Sequence, residues 1–140
     1  MKTRFSPLVK IKKDMMDRCE RQLQQANFNL DNAQIALEKA YRDLAEAKTP
    51  DSGAMQGFLQ SRMIISAQRD IVAEKQEWFA FAEGEVEAAK KALKDAMMDY
   101  EKFKYLEAEE IKVMLVKEKR AQQIELDEIA VQNFGKRREA

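Results

Sequence analysis

Leucine and alanine alternate at spacings of three and four residues along two separate stretches of this chain, and that alternation restricts the fold more than any other feature. Leu23, Leu30, Leu37 and Leu44 interleave with Ala26, Ala33, Ala40 and Ala47, while Phe79, Val86 and Leu93 interleave with Ala82, Ala89 and Ala96. Each stretch writes one apolar seam on a long helix. The turn formers Thr49-Pro50-Asp51-Ser52-Gly53 separate the two stretches, so the partner of the first helix is expected to be the second helix of the same chain. The predicted fold is all-α: a long two-helix antiparallel coiled-coil hairpin in which the second helix overhangs the first.

Ser6-Pro7 reads as an N-cap followed by a residue whose fixed φ and missing N–H suit the first helical position. The boundaries follow as helix one over roughly 7–48, a turn over roughly 49–55 and helix two over roughly 56–134 within a single elongated domain, 1–140. Helix one would be roughly 60 Å long at about 1.5 Å per residue. Run backwards, its seam takes in Cys19, Met16, Lys12, Val9 and Phe5. On helix two it takes in Phe58, Ser61, Ile65, Gln68, Val72 and Lys75, then continues from Phe79 to Tyr100 and Phe103. Centring the turn between Ser52 and Gly53 sets Leu23 against Ala82, Ala26 against Phe79, Ala40 against Ile65 and Lys2 against Phe103, so large residues meet small ones. The polar members Ser61, Gln68 and Lys75 make the turn-proximal half the looser one, with long stems lying over leucines and polar heads reaching water.

The seam decays after Phe103, yet no proline or glycine interrupts Lys104 to Phe134. Leu106, Ile111, Val113, Met114, Leu115, Val116, Ile124, Leu126, Ile129 and Val131 supply more apolar surface than a lone helix hides. Self-association, a fold-back onto the coil or a dedicated partner would each cover it, and the dedicated partner is preferred. Both chain ends are basic: Lys2, Arg4, Lys10, Lys12 and Lys13 precede the first acidic residue, and Lys136, Arg137 and Arg138 come near the end. Nearer the turn, Phe28, Ile35 and Tyr41 are hard to bury between two helices and form a second candidate surface. Ile64, Ile71 and Trp78 recur at intervals of seven as a flanking stripe.

The residue types argue against several functions. The 25 basic and 25 acidic residues cancel, so no global field draws nucleic acid or an anionic membrane. There is no histidine, no glycine-rich phosphate loop and no cysteine cluster, so neither catalysis nor a metal or other cofactor is expected. Cys19, the single cysteine, fits a small seam residue in a reducing compartment. Neither a membrane-spanning run nor an N-terminal secretory signal is legible, which makes the cytoplasm the expected location.

Several local strings, taken with the chain's size, resemble the FliJ family of the bacterial flagellar protein-export apparatus, related to the stalk-like proteins of type III secretion. They are Phe5-Ser6-Pro7-Leu8-Val9-Lys10-Ile11-Lys12, Pro50-Asp51-Ser52-Gly53, Phe58-Leu59-Gln60-Ser61-Arg62, Tyr100-Glu101-Lys102-Phe103-Lys104-Tyr105-Leu106-Glu107-Ala108 and Asp127-Glu128-Ile129-Ala130-Val131. The resemblance implies a non-enzymatic, stalk-like coiled coil in flagellum biogenesis, protein export and chemotaxis, associated peripherally with the inner membrane. Its implied partners are the hexameric export ATPase, the cytoplasmic domain of the export-gate membrane protein, and export chaperones. By the same resemblance Leu37, Tyr41, Phe58 and Arg62 match the gate-binding region, and Arg4, Lys10, Lys13, Ile111, Leu115, Val131, Phe134 and Arg137 lie at the terminal end that meets the ATPase. A self-associating structural tether is the alternative.

Overall fold

The computed structural model describes residues 2–47 and 55–139, and consists of two helices, α1 (Ser6–Glu46) and α2 (Met55–Glu139), packing against each other. No strand occurs among the described residues, so the all-α hairpin reading holds. The turn assigned to Thr49–Gly53 lies outside them. By proximity along the backbone the chain divides into two units, one made of Met16–Ala96 and the other of Met1–Met15 with Met97–Ala140.

In the Met16–Ala96 unit the buried core is built almost wholly from small and β-branched residues. Ala26, Ala33, Ala40, Val72, Ala82 and Val86 are buried, with Ala33 at 0% exposure and Val86 at 4%. All six are positions of the sequence-derived seam. The larger seam residues Leu23, Leu30, Leu37, Leu44, Ile65 and Phe79 are half-buried, because two helices have no third layer to close over them. Alanine lets the backbones approach, and the neighbouring leucines lie over the contact and exclude water from it.

The expected pairing between the two seams is wrong by about one heptad. Ala26 shares a groove with Gln22, Gln25 and Asn29 on its own helix and with Glu85, Ala88, Ala89 and Ala92 on α2, rather than facing Phe79. Tyr41 meets Gln76, whose Nε2 donates to the phenol oxygen at 2.6 Å, where the expected pairing of Ala40 with Ile65 would have put that turn of α1 much nearer the start of α2. The physical reason is that a Leu/Ala seam repeats itself every seven residues, so a slip of one heptad keeps large opposite small and costs little in packing. A symmetrical turn was the only basis for choosing between the alternatives, and nothing requires one. The slip has a visible cost at the start of α2, where Phe58, a predicted seam member, is 51% exposed along with Met55, Leu59, Met63 and Ile64.

In the other unit the same displacement appears independently. Lys12 lies 3.7 Å from Asp99 and its ammonium 5.5 Å from the centre of the Phe103 ring, so Phe103 lies near the Val9–Lys12 stretch of α1 and not opposite Lys2, a shift in the same direction. The N-terminal residues therefore meet α2 beyond the predicted end of the seam: Glu107, Glu110, Ile111 and Met114 are half-buried. Helix α1 also starts differently from the Ser6-Pro7 reading. The Thr3 N–H donates to Ser6 Oγ at 2.9 Å, the Phe5 N–H donates to Thr3 Oγ1 at 3.1 Å and the Ser6 N–H donates to the Thr3 carbonyl at 3.1 Å, a hydroxyl box that closes between Thr3 and Ser6. Thr3 is the buried polar residue of this box, and Ser6 is already helical. Pro7 follows in the first turn, where its missing N–H leaves no helical bond unmade.

Candidate functional surfaces

The first candidate surface comprises Leu37, Tyr41, Phe58 and Arg62. Leu37 and Tyr41 sit one turn apart on α1, Leu37 half-buried in the seam and Tyr41 exposed, held in place by Gln76. Phe58 and Arg62 sit one turn apart on α2, both exposed. The structure does not gather the four. Gln76, which marks the level of Tyr41, lies about 21 Å up α2 from Arg62 at 1.5 Å per residue, so two separate patches result. Phe28 and Ile35, singled out as hard to bury, are exposed on α1. The flanking stripe is exposed throughout, Ile64 at more than half and Ile71 and Trp78 at a little over a third; Lys75 reaches out of the seam to place its ammonium 5.5 Å from the Trp78 ring. Gln68 behaves differently from the expectation that polar heads would reach water, since its Oε1 is buried with no hydrogen-bond partner.

The second candidate surface belongs to the unit that contains the N-terminal residues. Arg4 Nε donates to Glu110 Oε2 at 3.1 Å, and its guanidinium stacks 4.9 Å from the Phe5 ring. Arg4, Phe5, Leu106, Glu109, Glu110, Val113 and Lys117 line a shallow groove there. The basic cluster is thus partly neutralised: Arg4 and Lys12 are paired with acidic residues of α2, while Lys10 and Lys13 face solvent. Their partners Glu110 and Asp99 escaped sequence reading, because ordinary acidic residues on a helix carry no mark of which basic residue they will meet. Ile111 is half-buried, and Leu115, Val131 and Phe134 are exposed. Arg137 belongs to α2, and its side chain lies outside the described residues. From Leu115 to Lys136 every residue of α2 is exposed, Leu115, Val116, Ile124, Leu126, Ile129 and Val131 included among the large apolar ones.

Among the described residues no group of His, Cys, Asp and Glu could hold a metal ion, and no helix is long and apolar enough to cross a membrane. Cys19 is half-buried in the seam as a free thiol. What remains is a pair of packed helices bearing exposed apolar patches at the start of α2 and along its last turns. That defines the class: a coiled-coil-like protein of two long packed helices. More particularly, the chain matches the family model described as Flagellar FliJ protein over residues 1–139, and it belongs to the FliJ family. It is therefore a component related to flagellar protein export, of a family that serves as a structural part of the export machinery. No curated protein and no solved structure matches the chain.

Proposed function

We propose that this protein is a non-enzymatic, stalk-like component of the flagellar type III export apparatus that joins the export ATPase ring to the export gate and helps escort export chaperones. One observation carries the reading: α2 continues past Met114 with large apolar residues exposed on a helix that buries nothing of its own. Burying one such side chain contributes roughly 1.5–3 kcal/mol, so an apolar helix left open in the free chain is energetically suited to docking. The ATPase hexamer is assigned to this stretch together with Arg4, Lys10 and Lys13. The gate's cytoplasmic domain is assigned to the patches around Tyr41 and Phe58, and the work takes place in the cytoplasm at the inner-membrane apparatus, without insertion of this chain and without nucleic acid.

The test is a binding measurement with the purified export ATPase, using the full chain and a chain ending at Met114. Loss of ATPase binding on truncation, with gate-domain binding kept, is the expected result. Equal ATPase affinity for both chains would refute the assignment of the tail. Tyr41→Ala and Phe58→Ala, measured separately against the gate domain, test the other end; a gate affinity unchanged by both would remove those patches from the proposal.

A further inference from the structure

A second stripe runs along α2 beside the seam, and within the Met16–Ala96 unit it stays open. Steps of three and four carry it from Glu74 through Trp78, Phe81, Glu85, Ala88 and Ala92 to Asp95, all of them exposed, Phe81 at 66%. Its middle forms one wall of the groove around Ala26, across from Gln22, Gln25 and Asn29 of α1. Two aromatic rings thus stand beside a trough floored by alanine. The charges on this face have one sign: Glu74, Glu85 and Asp95 lie on the stripe, while Lys90, Lys91 and Lys94 lie on other faces of α2. Among the described residues none of these three carboxylates has an ion-pair partner, whereas Glu87, on another face, pairs with Lys90 at 3.6 Å. The α1 wall offers neutral amides instead, and Gln25 Nε2 donates to Asn29 Oδ1 at 3.1 Å. Arg18 and Lys39, toward the two ends of that wall, make no ion pair with the stripe.

We infer that this groove docks a basic amphipathic helix of another protein, which lies along it as a third helix. Three features select that occupant. Large apolar side chains seat over Ala88 and Ala92 as large seats over small in the hairpin's own core, and Trp78 and Phe81 extend the apolar contact. The unpaired carboxylates recur about every three turns, about 16 Å apart at 1.5 Å per residue, so lysines or arginines at the same interval on the incoming helix meet each of them. The same charges disfavour the other occupants: a second copy laid stripe to stripe brings three more carboxylates, and nucleic acid or anionic lipid brings phosphates. The chain's own face supplies the apolar floor and the negative rim, and the partner supplies the large side chains and the positive charge.

Trp78 is the only tryptophan and stands on the stripe at 39% exposure, so its emission reports whether the groove is filled. The full chain is titrated at low salt with a helical Leu/Lys amphipathic peptide of about 22 residues, and with a Leu/Glu peptide of the same design. A saturable blue shift with the first and none with the second is expected. Glu74→Lys and Glu85→Lys each weaken binding of the Leu/Lys peptide at least about fivefold, and Phe81→Ala does so without a change of charge. Glu83→Lys and Glu87→Lys, the same reversal on other faces of α2, leave the affinity within about twofold. All five side chains are exposed, so unchanged helicity by circular dichroism serves as the control. Absence of a saturable shift overturns the proposal, as does an equal response to the Leu/Glu peptide or an equal loss from the reversals off the stripe. Emission that shifts with the concentration of the chain alone assigns the groove to a second copy and overturns it too. Neither the export ATPase nor the gate domain enters the measurement, so its failure leaves the proposed function untouched and the converse also holds.

Discussion

Replacing Gly84 by alanine should stabilise this protein. Gly84 lies in the interior of α2 on an exposed face, and a Cβ built there meets nothing within 4 Å. Its φ is not positive, so alanine adopts the same backbone without strain. The glycine thus contributes only its cost, about 1 kcal/mol relative to alanine through lost backbone entropy on folding. At about 2.1 cal/mol/K of unfolding entropy per residue, that gain raises the melting temperature by about 3 °C if the whole chain melts together. If the Met16–Ala96 unit, about 80 residues, melts alone, the rise is about 6 °C. Circular dichroism reports the whole helix content, and fluorescence of Trp78, the only tryptophan, reports that unit. A rise of 3–6 °C with unchanged cooperativity is the expected result. A melting temperature that falls or stays put would refute the claim that this face of α2 is open and regular.

Three further perturbations probe the seam and its ends. Gln68→Leu removes a buried oxygen that has no partner and should stabilise by about 1–3 kcal/mol in urea denaturation; a loss of stability would mean that the amide is satisfied in solution. Val86→Ala, at a site 4% exposed, should cost about 1–2.5 kcal/mol through lost burial and a residual cavity, and a smaller cost would indicate that the helices close over the gap. Thr3→Ala breaks the hydroxyl box and should cost about 0.5–2 kcal/mol, concentrated in faster amide hydrogen exchange over the first turns of α1. Exchange that accelerates uniformly along the chain instead would show that the box does more than cap.

The legible part of the fold was its face pattern. Ala26, Ala33, Ala40, Val72, Ala82 and Val86 could be named as seam residues from spacing alone, because on a helix every residue three or four along returns to the same side. The exposure of Phe28 and Ile35 followed from the same geometry. Phe58 was misplaced for a different reason: it lies on the seam, but a seam residue is buried only where a partner helix is present opposite it. The candidate gate-facing set rested on the family resemblance and not on spacing, and the structure holds Leu37 and Tyr41 at the level of Gln76, apart from Phe58 and Arg62 along α2. Thr3 was missed because its box closes through Ser6, a residue already explained by the proline that follows it.

Sequence alone determined that there are two helices, which faces meet, and that the longer helix continues beyond its partner. Local periodicity encodes all three. The tertiary structure decided the register and therefore where each face stops being covered, at Met114 rather than Phe103 and short of Phe58 at the other end. The reason is degeneracy: a heptad seam is nearly isoenergetic under slips of seven residues. Contacts that the Leu/Ala repeat does not encode mark the register adopted, here Lys12 with Asp99, Arg4 with Glu110 and Tyr41 with Gln76.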